Sequence, residues 1–225
     1  MEFKEDSKKY FHEKCLEIKS GYTPHNQRIE TYGSGLQTIS HLFDISAIKD
    51  GQCILEIGSG TGRLAMPLVD WNVNYTGVEV VKEAVDFCTN AFFPWKERFR
   101  FQHVDLYNEY YNPKGNIFLS DYRFEFPDES FDSIIFCSVM THISMEDNAE
   151  NYLKEAFRML KRGGKIWVTW FRCPPNGELN EALRTCLKES FIFNLIADLG
   201  LRIEYTFGGF TSYWHDQWET LLIKK

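Results

Sequence analysis

The sequence predicts an α/β protein with a mostly parallel sheet, and three observations carry that expectation. From Cys53 onward, short β-rich runs alternate with amphipathic stretches, the pattern of successive βαβ units. The first run ends in "GSGTG", a glycine turn of the kind that leads from a strand into a helix. The last β-rich runs, "LRIEYTF" and "QWETLLIKK", follow one another through the loop "GGFTSYWHD" and should pair as an antiparallel end to the sheet.

Residues 1–49 form a polar and then amphipathic leader, whose second half, "RIETYGSGLQTISHLF", reads as helical in spite of its glycines. Strands are expected over residues 53–57, 75–80, 99–104, 133–137 and 165–171. Between the third and fourth lies "LYNEYYNPKGNIFLSDYRFEFPDES", a loop-rich insertion at about 106–130. A long ordered loop in a compact domain is more often functional than idle, and this one is dense in tyrosine and phenylalanine. A helix is expected over 145–160, where Ala149, Tyr152, Leu153, Ala156, Phe157 and Leu160 recur at helical spacing. Ser144-x-x-Asp147 marks its start and Gly163-Gly164 its stop, so "LKRGGK" is a helix end rather than a basic patch. Another helix follows over roughly 178–199, ahead of the final β-rich pair.

A chain of 225 residues, 44% hydrophobic and 16% aromatic, suits one large core better than two small ones. The amino terminus, "MEFKEDSKKYFHEKCLEIK", is too charged to hold the apolar segment of a signal peptide. No later apolar run approaches the roughly 20 residues of a membrane helix, so a soluble, cytoplasmic protein with no membrane partner is expected. Cysteines at 15, 53, 88, 137, 173 and 186 show neither a C-x-x-C pair nor a nearby histidine at ligand spacing. Reduced, mostly buried thiols are therefore expected, without a disulfide framework or zinc. A formal charge of −7 argues against nucleic acid as a partner.

The glycine turn is the chemical centre of the sequence. Its backbone N–H groups and the helix that follows make a site for a polar or anionic group. The spacing is Gly58-x-Gly60-x-Gly62 rather than the dinucleotide G-x-G-x-x-G, and Glu56 stands at the strand end just before it. A buried carboxylate there would repel a pyrophosphate and attract an ammonium or sulfonium, which points to a cationic cofactor.

At this point "LEIGSGTGR" resembles the first motif of class I S-adenosylmethionine-dependent methyltransferases, and further landmarks follow in order. "GVEV" is similar to the family's second-strand end, which implies that Glu79, with Val80 after it, binds the ribose hydroxyls of the donor. "HVDL" implies that Asp105 meets the adenine amino group and that Leu106 borders the ring. "FPDESFDSIIFCSVMTHI" resembles the fourth-strand motif, which implies that Cys137 lines the donor's methionine end. "LKRGGKIWVTW" resembles the helix, turn and strand that follow. The resemblance spans about residues 53–171. It implies a Rossmann-like, mostly parallel seven-stranded sheet with an antiparallel C-terminal strand and helices on both faces. It also implies S-adenosylmethionine as donor, S-adenosylhomocysteine as product, and a donor loop that includes Glu56, Gly58, Ser59, Gly60 and Gly62. Residues 1–50 then form a helical lid over the cofactor site, and residues 51–225 the methyltransferase domain.

Methyl transfer from a sulfonium leaves the protein with orientation and proton removal to supply. If the acceptor is a hydroxyl, a histidine is the natural general base. His142 is the best-placed candidate, because "SVMTHI" leaves the fourth strand at the ligand-binding edge of an open α/β sheet; the alternative is a histidine packed under the next helix. His25, His103 and His215 are weaker candidates. Tyr110, Tyr111, Tyr122, Arg123, Arg172 and Trp214 are expected around the acceptor, with loop packing or surface ion pairs as their alternative roles. No carboxylate cluster suggests a catalytic metal. The Asn/Asp-Pro-Pro-aromatic run of amino-methylating nucleic-acid enzymes and the paired-glutamate loop of protein-arginine methyltransferases are both missing. What remains is a small-molecule acceptor, sugar-like or phosphorylated, and "YNPKG" ahead of "FPDESFD" resembles methyltransferases of surface-polysaccharide pathways. A donor-binding partner protein without turnover is the competing reading. A nicotinamide oxidoreductase is disfavoured by the glycine spacing and by Glu56. The aromatic insertion serves equally as an acceptor wall or as a homodimer contact.

Overall fold

The computed structural model describes residues 5–17, 28–143, 146–173, 186–208 and 217–225. Its β-rich runs form β1 (Cys53–Ile57), β2 (Asn74–Glu79), β3 (Phe99–His103), β4 (Phe131–Phe136), β5 (Leu160–Phe171), β6 (Leu201–Gly208) and β7 (Gln217–Lys224). They make one seven-stranded sheet in the order β3-β2-β1-β4-β5-β7-β6. β1 to β5 pair in parallel, while β7 runs antiparallel to both of its neighbours. The centre of the sheet is apolar on both faces, as parallel strands covered by helices require: Ile54, Leu55, Ile57, Ile134, Ile135 and Phe136 are all buried.

Helices α1 (Glu5–Glu17), α2 (Arg28–Asp44), α3 (Ala65–Leu68) and α4 (Lys82–Ala91) contribute to the core on one face. Phe11, Tyr32, Ile39 and Leu42 of the leader join Ile54, Leu64, Met66, Phe92 and Trp167 there. Helices α5 (Glu146–Met159) and α6 (Glu189–Asp198) cover the other, where Ala149, Leu153, Ile192 and Ile196 pack on Leu55, Ile134 and Ile166. Polar links fasten the leader as well. Tyr10 Oη donates to the Ala91 carbonyl at 2.8 Å, and buried Glu219 of β7 accepts from His41 Nε2 at 2.8 Å and from Trp167 Nε1 at 2.7 Å.

Three expectations are corrected. The helix expected over 145–160 ends at Met159 and β5 starts at the next residue; Gly163 and Gly164 sit in a bulge, where the pairing jumps from Phe131–Leu160 to Ser133–Lys165. The helix expected over 178–199 begins only at Glu189, because Leu187 is drawn into a parallel bridge with Arg172; residues 178–185 lie outside the described residues. The same bridge overturns the expectation of reduced thiols at one pair. Leu187 N donates to the Phe171 carbonyl at 2.9 Å and Cys173 N to the Leu187 carbonyl at 3.2 Å, which brings Cys173 and Cys186 into a disulfide across a sequence separation of 13. Cys53, Cys88 and Cys137 are free thiols.

Candidate active site

The C-terminal ends of β1, β2 and β4 meet at one edge of the sheet, which is where open α/β folds bind ligands. Gly58 leaves β1 with φ +76°, and a Cβ on it would lie 2.5 Å from Val139 Cγ2, so only glycine lets the turn pass under the end of β4. At Gly60 no atom lies within 4 Å of such a Cβ, so the loop opens there onto free space. Glu79, at the end of β2, closes the other side. Its Oε2 accepts the Gly60 N–H at 2.8 Å, and its Oε1 accepts the N–H groups of Val80 at 2.8 Å and Val81 at 2.9 Å. Burial pushes the Glu79 carboxyl up, and the backbone donors pull it part of the way back. Ser59 is buried with its side chain against Gly77, and its Oγ has no hydrogen-bond partner among the described residues.

On the α1–α4 face of β1, buried Glu56 accepts a short hydrogen bond from Tyr75 Oη. Desolvation pushes its carboxyl up to about 8, against the pull of the Tyr75 hydroxyl and the Arg63 charge. Arg63 Nη2 lies 3.0 Å from Cys137 Sγ, so Glu56, Arg63 and Cys137 form one group. Sequence reasoning missed Arg63 as a site residue, although a cation directly after the last glycine of "GSGTGR" was signal enough. Helix α2 crosses this point, since a Cβ on Gly35 would come within 2.1 Å of the Arg63 carbonyl oxygen; only glycine permits that approach.

Asp105 follows β3, and its carboxylate is engaged by the insertion. Oδ1 accepts from Asn112 Nδ2 at 3.0 Å, while Oδ2 accepts from Asn116 Nδ2 at 2.8 Å and Asn116 N at 3.3 Å. The two asparagine side chains hold its pKa below the usual carboxylate value. Leu106 is buried beside it and bridges to Ile117. The Val80 carbonyl oxygen lies 3.1 Å from His103 Nε2, which gives that histidine a structural partner between β2 and β3.

His142 ends a short 3-10 turn, Met140–His142, that follows β4. Ser138, two residues ahead of that turn, has φ +61°, a conformation a non-glycine residue holds only when its surroundings enforce it. Here Thr169 Oγ1 accepts the Ser138 N–H at 2.7 Å. The insertion then brings Tyr111 Oη to 3.3 Å from His142 Nε2, and Tyr110 packs edge-on against the same imidazole.

The remaining candidates separate. Arg172 pairs with Glu189 at 2.6 Å and lies over the Trp218 ring, which ties it to α6 and β7. Arg123 is not brought to this edge. It pairs with Asp128, which Arg158 at the end of α5 also holds, near the start of β4 and therefore at the opposite edge. Tyr122 packs against Phe124 on the α5–α6 side. His25, Trp214 and His215 lie outside the described residues.

Comparison with known proteins agrees with this arrangement. Residues 55–168, half of the chain, match the family model described as a methyltransferase domain. The arsenite methyltransferase of Aquipseudomonas alcaligenes is 29% identical over 141 residues, covering 61% of this chain and 36% of that protein. The chain spans only 36% to 57% of the length of the curated relatives it matches. Among solved structures, magnesium protoporphyrin IX methyltransferase from Synechocystis, with bound SAH, superposes with a TM-score of 0.63 at 14% identity, over 99% of this chain and 96% of that one. The 4+2 cyclase SpnF superposes with a TM-score of 0.66, also at 14% identity, over 96% of this chain and 92% of that one. Likeness at such identities establishes the fold, and the family model, which begins at Leu55 beside the glycine turn and runs through β4 to β5, adds the lineage: the chain belongs to the methyltransferase domain family.

Proposed function

We propose that the protein is an S-adenosylmethionine-dependent methyltransferase that O-methylates a small hydroxyl compound. The observation that carries this reading is the Gly60–Glu79 contact across an open glycine loop. A carboxylate has about four acceptor positions, and three of those on Glu79 are filled by backbone N–H groups, which leaves capacity for a ribose hydroxyl. Arg63 offers N–H donors to the carboxylate of the donor's methionine end, and Glu56 offers a carboxyl to its cationic end. These residues fit a nucleoside carrying an amino acid better than a pyrophosphate. When bound, the donor supplies an electrophilic methyl group, so this chain's own work is to orient the acceptor, exclude water and take a proton. His142 is the base in this reading, and Tyr110 and Tyr111, whose rings pack edge to face with its imidazole, border the acceptor.

With Arg172 paired to Glu189 and Arg123 at the far edge, the site suits an uncharged, sugar-like acceptor better than a phosphorylated one. A role in a surface-polysaccharide pathway fits that chemistry. The net charge of −7 disfavours a nucleic-acid acceptor. No helix among the described residues is long and apolar enough to cross a membrane. A cytoplasmic location is part of this reading; the Cys173–Cys186 disulfide weighs against it, since such bonds persist in oxidising compartments, and cell fractionation decides between the two. A homodimer would close over the exposed Tyr107, Ile117 and Phe118 of the insertion, which sedimentation equilibrium reads directly.

Isothermal titration with S-adenosylmethionine and with S-adenosylhomocysteine tests the donor assignment. Saturable binding of both is expected, and no heat from either in a folded sample stripped of bound ligand overturns it. Because the fold also serves a cyclase, donor binding alone leaves a partner protein without turnover as the rival. Transfer of labelled methyl to a panel of uncharged sugars and glycosides, with nucleotide sugars and sugar phosphates alongside, abolished in His142→Ala with donor affinity kept, separates the two.

A further inference from the structure

The geometry points to Tyr111 as a proton relay between the acceptor hydroxyl and His142, held in place by a chain of asparagine contacts that begins at Asp105. This deepens the donor-site reading and rests on it. Tyr111 lies 31 residues before His142 in sequence, yet its Oη stands 3.3 Å from Nε2, with the two rings edge to face at 5.2 Å. That separation is at the long end for a hydrogen bond, as catalytic contacts often are before substrate assembles them.

The pair is fixed from both sides by one side chain. Asn108 Oδ1 accepts the N–H groups of Tyr110 and Tyr111, each at 3.0 Å, while its Nδ2 donates to the His142 carbonyl oxygen at 3.2 Å. Asn108 and Asn112 exchange backbone hydrogen bonds of 3.1 and 2.9 Å, and Asn112 Nδ2 donates onward to Asp105 Oδ1. The insertion is therefore a brace that runs from the donor edge to the base.

The phenol also suits the role. Tyr111 stays 37% exposed, so an acceptor can reach it, while partial burial of its hydroxyl, and after that the Glu79 charge, oppose its ionisation. A phenol that resists ionisation does not act as a base by itself, but it transmits a proton. Its O–H donates to His142 Nε2 while a lone pair of Oη accepts the acceptor's O–H. The acceptor proton passes to Oη as the phenolic proton passes to Nε2. The freed electron pair on the acceptor oxygen forms the bond to the methyl carbon, and the electrons of the breaking carbon–sulfur bond return to sulfur. The imidazolium then gives its proton to solvent, leaving ether, thioether and a neutral histidine.

This assignment requires neutral His142 to be the Nδ1–H tautomer, because Nε2 must accept. The test is nitrogen NMR of 15N-histidine-labelled protein saturated with S-adenosylhomocysteine, at an alkaline pH where imidazoles are neutral. His142 signals are assigned by their loss in His142→Gln. The expected result is an Nδ1–H ring in the native protein that shifts to the Nε2–H form in Tyr111→Phe, with S-adenosylhomocysteine affinity unchanged. An Nε2–H ring in the native protein, or the same tautomer in both proteins, overturns the relay. Absence of S-adenosylhomocysteine binding by the native protein overturns the donor reading instead, so the two failures are distinguishable. With any acceptor that turns over, Tyr111→Phe should lower kcat by roughly 100-fold, the scale of one lost proton-transfer step, and leave donor affinity unchanged.

Discussion

The proposed donor side and the proposed acceptor side of this site are built from different materials. At the donor side, Gly58 to Gly62 and Glu79 are joined through backbone N–H groups, and the carboxylates involved are buried. At the acceptor side, the 106–117 segment is held by amide side chains, and Tyr107, Tyr111 and Ile117 are exposed. A site built on backbone dipoles has one shape and tolerates little; a site braced by side-chain amides can be re-aimed by single substitutions.

The comparison predicts where substitutions hurt, beginning with the largest effect. Gly58→Val places a Cβ against Val139 and forces a left-handed backbone, which costs about 1–2 kcal/mol in the conformation alone. Donor affinity should fall at least roughly 100-fold by titration calorimetry, and Val139→Ala should restore part of it. Retained affinity would break the backbone account of the donor side.

The next effect is a pH dependence. Glu56 binds its proton more tightly folded, at about 8, than unfolded, at 4.5, so the folded state holds the extra proton between these values. Its contribution to stability is therefore complete below pH 4.5 and is lost as the pH rises through about 8. Urea unfolding across this window should show the decline, and Glu56→Gln should remove it. A cationic donor favours the ionised form, so binding should release a proton, visible as a buffer-dependent heat; equal heats in phosphate and Tris would contradict this.

A smaller effect sharpens the boundary between the two sides. Asn112→Ala should loosen the insertion, read as faster amide exchange at 107–117, while leaving donor affinity nearly unchanged. If Asp105→Asn behaves the same way, Asp105 serves the brace; if it weakens the donor as well, the carboxylate serves adenine too. Arg123→Ala is the smallest change. Its ion pair with Asp128 is exposed and far from the site, so stability should move by less than about 0.5 kcal/mol and methyl transfer should be untouched.

Much of the donor side was legible before folding, because it is written in local signals. "LEIGSGTG" places apolar residues, an acid and glycines within one strand and its turn, and "GVEV" repeats strand-plus-acid at the neighbouring edge. Asp132, the second residue of β4, ties the neighbouring strands together: it accepts the Cys53 N–H at 2.8 Å and pairs with Lys161 at 2.9 Å. The acceptor side was legible only as a group of residue types. Tyr110 and Tyr111 reached His142, whereas Arg123, from the same insertion, went to the opposite edge because the chain passes under α5 before entering β4.

By itself the sequence determined the alternation of strands and helices, the glycine turn and its acids, and the antiparallel end of the sheet, because hydrophobic period and turn chemistry act over a few residues. Only the tertiary structure decided that Cys173 meets Cys186, that Arg63 stands between Glu56 and Cys137, that Asp105 holds the insertion and that Tyr111 meets His142. Each of these contacts depends on how strands register and loops return, and their formation becomes favourable only once the surrounding core has ordered the chain.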